Sequence, residues 1–188
     1  MGKIILGDAM EELSKMPDNS VDLLLTDPPY DFDENMKQRL HSEFLRICSG
    51  DILVFSPSEN QWVFPGVKYL FWVKPTSTKN YSKSYGRFVE MIFLYQRNKI
   101  WNRNLNWANY VGIYDDKVIG ESGHPFEKPE SLLKRFILIH TNQGNIVLDP
   151  FCGSGTVLKV AKDLGRNYIG IEKDEQYYQI ASNLVNYV

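Results

Sequence analysis

The chain has 188 residues, 43% of them hydrophobic and 13% aromatic, which is enough for one packed domain and too apolar for disorder. Its net charge of −2 shows no global bias toward a polyanion partner. With no N-terminal signal pattern and no apolar run near about 18 residues, the expectation is a cytoplasmic protein, neither secreted nor membrane-spanning.

The predicted elements alternate. Lys3 to Asp8 reads as a short strand ending in an acid, and Ala9 to Lys15 as a short helix stopped by Pro17. Val21 to Thr26 is a buried-strand candidate that runs into Asp27-Pro28-Pro29-Tyr30. Residues 34–48 have helical spacing, with Met36, Leu40, Phe44 and Ile47 on one face; Ser49-Gly50 is expected to end that helix, with Gly50 left-handed. Strands follow at Ile52–Phe55, Val67–Val73 and Phe88–Gln96, the last two expected as an antiparallel pair around the polar loop Thr76–Gly86. Residues 98–123 lack periodicity and read as loop. A helix is expected over 129–141 with Pro129 in its first turn, then a strand at Ile146–Leu148 and a helix over 154–164. A strand at Asn167–Ile171 and a helix over 174–186 complete the series.

This alternation predicts a mostly parallel sheet with helices on both faces. In such sheets a ligand sits beyond the carboxyl ends of the strands at the switch point. Two strands end in unusual polar turns, Asp27-Pro28-Pro29-Tyr30 and Asp149-Pro150-Phe151-Cys152-Gly153-Ser154-Gly155. If those strands are neighbours, both turns face one crevice.

Each turn carries its own chemistry. Gly153 and Gly155 remove side chains where a ligand could approach backbone at a helix start. Leu158 stands where a dinucleotide fingerprint wants a third small residue, and no Gly-Lys-Ser/Thr is present. Glu172, at the end of the following strand, can accept both hydroxyls of a ribose. Together these suit an adenosyl ligand without a pyrophosphate, such as S-adenosylmethionine. In the other turn, two prolines hold the backbone extended and leave the Pro28 carbonyl beside the Asp27 carboxylate. Two aligned acceptors can bind both hydrogens of an exocyclic amine and aim its lone pair, while Tyr30 offers a stacking face.

These residues resemble the N6-adenine/N4-cytosine DNA methyltransferases, in the permuted group whose catalytic motif precedes the cofactor loop. The likeness is carried by four stretches in family order: Gly7-Asp8 with Pro17 to Leu23 leading to Thr26-Asp27-Pro28-Pro29-Tyr30; Arg87-Phe88-Val89-Glu90; His124-Pro125-Phe126-Glu127-Lys128-Pro129; and Val147 to Thr156 continuing to Gly165 to Glu172. The resemblance implies a Rossmann-like α/β fold with a seven-stranded, mostly parallel sheet and one antiparallel strand, Phe88–Gln96, near an edge. It implies catalysis by Asp27, Pro28, Pro29 and Tyr30 on a flipped base. S-adenosylmethionine would be held by Phe151, Gly153, Ser154, Gly155 and Thr156, with Asp149 at its amino group and Glu172 on the ribose. Asp8 and Ala9 would meet the adenine, and His124 and Lys128 would lie on the cofactor side, Lys128 neutralising its carboxylate. Cys152 is expected to be only a small loop residue, and Glu90 has no assigned role. Aspartate at position 27 favours adenine over cytosine.

A separate target-recognition region is not evident. The stretch from Lys68 to Asn104 holds eight basic residues and one acid, a local balance of +7 within a chain of −2, interleaved with Trp72, Tyr81, Tyr85 and Trp101. Basic residues among aromatics suit a surface that tracks phosphates and stacks bases. Lys74, Lys79, Lys83, Arg87 and Arg103 are therefore the expected DNA contacts, within a reduced recognition region at 76–123 of a single domain, 1–188. A second copy or an accessory subunit could supply the rest. Methylation of N4 of cytosine, of an RNA base or of a protein amide are the competing activities, and a non-catalytic adenosyl-ligand or DNA-binding module is the alternative without catalysis. Cys48 and Cys152 lack metal-ligand spacing and read as reduced thiols; three scattered histidines give no metal site.

Overall fold

A computed structural model describes residues 1–56, 60–62, 64–73, 89–97, 113–115 and 128–186. Their elements run β1 (Gly2–Leu6), α1 (Ala9–Ser14), β2 (Val21–Thr26), α2 (Glu34–Ile47), β3 (Cys48–Ser56), β4 (Lys68–Val73) and β5 (Val89–Tyr95). They continue with β6 (Ile113–Tyr114), α3 (Glu130–His140), β7 (Ile146–Asp149), α4 (Thr156–Asp163), β8 (Asn167–Glu172) and α5 (Glu175–Asn186). The expected contacts Lys74, Lys79, Lys83, Arg87 and Arg103, and His124, lie outside the described residues, as does most of 76–123.

The strands form one sheet in the order β1-β8-β7-β2-β3-β5-β4-β6. Among the described residues it has eight strands rather than seven because Ile113 and Tyr114, in a stretch expected to be loop, pair with Phe71 and Trp72 of β4. Among the described strands β5 alone runs against the others: it is antiparallel to both β3 and β4, and it lies third from the β6 edge. The expected antiparallel pair of β4 and β5 is present from Lys68↔Leu94 to Val73↔Val89.

Side-chain alternation along β2 explains the layering. Leu23 and Leu25 enter one core with Phe55, Phe136 of α3 and Val157 of α4. Leu24 enters the opposite core with Val54, Leu148 and the α2 residues Leu40 and Phe44. Each of these side chains is essentially fully buried or nearly so, so β2 is a central strand with both faces covered. Among the described residues no helix is long and apolar enough to cross a membrane.

Gly50 does not cap α2. The helix ends at Ile47, Cys48 is already extended, and Gly50 lies inside β3 with no positive φ. The extra residue is absorbed as a register shift between Val21↔Cys48 and Leu23↔Asp51. Arg97 meets the helix's carbonyl groups instead, its guanidinium donating to the carbonyls of Leu45 and Cys48. A long-range cation thus replaces the local glycine cap that the sequence suggested.

Candidate active site

β2 and β7 are neighbours, paired in parallel through Leu23↔Val147 and Leu24↔Leu148. Their polar turns consequently meet at the carboxyl ends of these central strands. The Thr26 hydroxyl donates to Asp149 Oδ1 at 2.7 Å, joining residues 123 apart in sequence. A cavity of about 610 Å³ opens there, within the usual size range for small-molecule sites. Gly7, Asp8 and Ala9 after β1, Asp27 to Tyr30 after β2, Phe151 and Gly153 after β7, and Glu172 at the end of β8 all line it.

Local rules explain how these groups are held. Asp8 caps α1, its carboxylate accepting from the backbone N–H of Met10 and Glu11. Glu172 accepts from Gly153 N–H with one oxygen and from Asp174 N–H with the other, each at 2.9 Å. This fixes the carboxylate against the loop while leaving lone pairs on both oxygens. The two loop glycines differ in purpose. Gly153 has φ +50°, and a Cβ there would meet nothing within 4 Å. Gly155 has φ +89°, and a Cβ would lie 2.9 Å from the Ala181 Cβ on α5. Gly153 therefore keeps backbone open beside the cavity, whereas Gly155 lets α4 and α5 approach. Ser154, Gly155 and Thr156, expected around the cofactor, are not among the lining residues.

Leu158 is explained by a glycine elsewhere. A Cβ on Gly170 of β8 would come within 2.4 Å of Leu158 Cδ1. The close helix–strand packing that a third loop glycine gives a dinucleotide site is achieved here by a glycine in the strand. Cys152 is buried, and burial pushes its thiol well above the ordinary range, so it is no nucleophile.

The electrostatics favour a cation. Four acids (Asp8, Asp27, Glu172 and Asp174) and one base, Lys173, line the cavity. Asp149 lies behind it, 3% exposed, accepting from Thr26 and from Phe151 N–H; burial pushes its carboxyl up to about 7, those hydrogen bonds opposing. A pyrophosphate would meet repulsion here, while a ligand carrying a sulfonium and an ammonium would not.

Asp27 is held by a lysine and a tyrosine. Burial raises its pKa, and Lys128 pulls it back down in part. The Tyr30 hydroxyl donates to Asp27 Oδ1 at 3.2 Å, and burial lifts that phenol to about 12, so it stays protonated. Lys128, expected at the cofactor carboxylate, is not among the cavity's lining residues. Its amine is 2.5 Å from Asp27 Oδ2 and 2.9 Å from Glu90 Oε1.

A second support was not foreseen. Asn60 donates from Nδ2 to the carbonyls of Tyr30 at 2.7 Å and Phe32 at 3.0 Å, pinning the turn that follows β2. Its Oδ1 accepts from the amine of Lys37, which is 1% exposed and also bonds Glu34 and the Gln61 carbonyl. The readable signal was a lysine on the buried stripe of α2, three residues before Leu40. Met36 and Leu40 of the same helix, with Phe32, complete the cavity wall.

Known proteins resemble this chain in sequence and in fold. The family model described as DNA methylase, N6_N4_Mtase, matches residues 51–183. The type II methyltransferase M.HpaI of Haemophilus parainfluenzae is 28% identical across 95% of this chain and 72% of its own length. The DNA adenine methyltransferase YhdJ of Escherichia coli (strain K12) is 30% identical across 94% of this chain and 80% of its own. Among solved structures, an M1.HpyAVI–SAM complex superimposes with TM-score 0.74 at 29% identity, covering 97% of this chain and 99% of that one. The cytosine-N4-specific PvuII DNA methyltransferase shares the fold, with TM-score 0.79 at 16% identity over 97% of this chain and 86% of that one. Given the permuted turns on β2 and β7, the shared cavity and the extent of these matches, this chain belongs to the N6-adenine/N4-cytosine DNA methylase family.

Proposed function

We propose that the protein transfers a methyl group from S-adenosylmethionine to the exocyclic N6 amine of an adenine flipped out of DNA. One observation carries the reading: the Asp27-Pro28-Pro29-Tyr30 turn and the Gly153–Glu172 cradle line a single anionic cavity. Glu172 takes the ribose hydroxyls, Asp8 and Ala9 meet the adenine ring, and Phe151 and Gly153 flank the methionine end. Asp149 lies near the ammonium, with Ser154, Gly155 and Thr156 shaping the loop from behind. Bound there, S-adenosylmethionine supplies an electrophilic methyl, so that the N–C bond forms as the C–S bond breaks and sulfur keeps the pair.

The protein's own part is to make a poor nucleophile competent. The amine's lone pair is delocalised into the base. Asp27 Oδ1 and the Pro28 carbonyl accept its two hydrogens, draw the nitrogen toward pyramidal geometry and aim the lone pair at the methyl. As positive charge develops on nitrogen, the Asp27 carboxylate stabilises it, and the proton then leaves to the acceptor side. Tyr30, 41% exposed, stacks on the extruded base. N4 of cytosine offers the same two hydrogens; aspartate at position 27 and the adenine specificity in YhdJ's name support adenine.

DNA is held through Lys74, Lys79, Lys83, Arg87 and Arg103 in the cytoplasm, and a second copy or an accessory subunit extends the contact. The activity is tested by incubation with methyl-labelled S-adenosylmethionine and DNA, RNA or protein. Label should enter DNA alone; label confined to RNA or protein would refute the proposal.

A further inference from the structure

Lys128 is placed for a task other than the cofactor carboxylate. It lies one residue before Pro129, which precedes α3 at the cap position. Its side chain is 9% exposed, and that of Glu90 on β5 is 6% exposed. In the sheet, β3 separates β2 from β5. The Lys128 amine crosses above it, 5.0 Å from the Phe55 ring centroid, and joins Asp27 at the end of β2 to Glu90 on β5. A surface lysine at a helix start would be exposed, and a cofactor ligand would line the cavity. Lys128 does neither.

We propose that Lys128, steadied by Glu90, is a positioning residue for methyl transfer: it holds Asp27 by Oδ2 and so turns Oδ1 to the target amine. The inference rests on the methyltransferase reading above. A carboxylate free to rotate would present either oxygen, and geometric error of that kind is expensive at a reacting centre. With Oδ2 tied, Oδ1 keeps, among the described residues, the 3.2 Å bond from Tyr30, a long one that an incoming amine can displace. The arrangement also predicts opposite effects of the two partners. Among the described residues, the charged and titratable groups acting on Asp27 are Lys128, Glu90 and Tyr30, with Asp149 interacting with it as well. Burial raises Asp27, Lys128 lowers it and Glu90 raises it again. Losing the amine therefore moves Asp27 ionisation to higher pH, and losing only the Glu90 charge moves it to lower pH.

The test uses wild type, Lys128→Met, Lys128→Arg and Glu90→Gln in single-turnover DNA methylation across pH, with S-adenosylmethionine affinity measured separately by calorimetry. Lys128→Met should lose roughly 100-fold in rate at neutral pH and shift its acid limb upward, with cofactor Kd changed by less than about 3-fold. Lys128→Arg should recover part of the rate. Glu90→Gln keeps an oxygen for the lysine and should shift the acid limb downward, and it carries the test alone if Lys128→Met does not fold. Cofactor affinity lost in proportion to rate would return Lys128 to the cofactor carboxylate and overturn the inference. Acid limbs that stay put in both variants would make the pair purely structural. If wild type methylates RNA or protein instead of DNA, only the DNA reading fails, because the same profiles can be measured on that acceptor.

Discussion

Replacing Gly155 and Gly153 separately by alanine should split stability from ligand binding. At Gly155, φ is +89° and the new Cβ would stand 2.9 Å from Ala181 Cβ and 3.0 Å from Ala181 Cα, on α5. The left-handed conformation costs about 1–2 kcal/mol, and overpacking a rigid helix–helix contact about 1–3 kcal/mol more. A loss of about 2–5 kcal/mol would lower Tm by roughly 5–15 °C in a chain of this size. At Gly153, φ is +50° and the Cβ would meet nothing within 4 Å, so only the backbone term of about 1 kcal/mol applies. That methyl would enter open space beside the cavity Gly153 lines, and cofactor affinity should fall by about 10-fold or more. Thermal denaturation without ligand and calorimetric titration with S-adenosylmethionine measure the two effects. A Gly155→Ala protein as stable as wild type, or a Gly153→Ala protein with intact cofactor affinity, would refute the division of labour.

Other consequences concern pH, support and DNA. Asp149 titrates near 7 when folded against 3.8 as its ordinary value, so the unfolded chain holds fewer protons between those limits. Stability without ligand should therefore fall as pH rises from about 4 to 7, by on the order of 4 kcal/mol, and stay level above. Asp149→Asn removes that slope; a difference between wild type and variant that is the same in urea denaturation at pH 4.5 and at pH 8 would refute it. Asn60→Ala releases the Tyr30 and Phe32 carbonyls and should cut kcat/KM by roughly 10–100-fold, chiefly through kcat; an unchanged kcat would show that the strut is dispensable. Neutralising Lys79, Lys83 and Arg87 together should reduce the log–log salt slope of DNA binding by roughly 2–3, and an unaltered slope would remove these residues from the interface.

Local chemistry made much of the site readable. The polar turns after β2 and β7 identified their strands as the ones flanking the crevice, and the structure pairs them. The cavity-lining acids Asp8 and Glu172 were legible because each ends or follows a short apolar run. What escaped were partners chosen by tertiary contact. Nothing near Gly155 in sequence announces Ala181, and nothing near Lys37 announces Asn60. Lys128 carried a motif but not its direction, because Glu90 and Asp27 come to it from two other strands. Arg97 displaced the expected Gly50 cap for the same reason. Periodicity specifies which face is buried, whereas a buried charge is placed by whatever counter-charges the fold brings within reach.

The central claim is that Asp27 directs methyl transfer to N6 of adenine in DNA. It is tested most directly by digesting DNA to nucleosides after reaction with methyl-labelled S-adenosylmethionine and separating the products. The account predicts labelled N6-methyladenine with wild type and a loss of at least about 100-fold with Asp27→Ala. Label in N4-methylcytosine, or equal N6-methyladenine from both proteins, would contradict it.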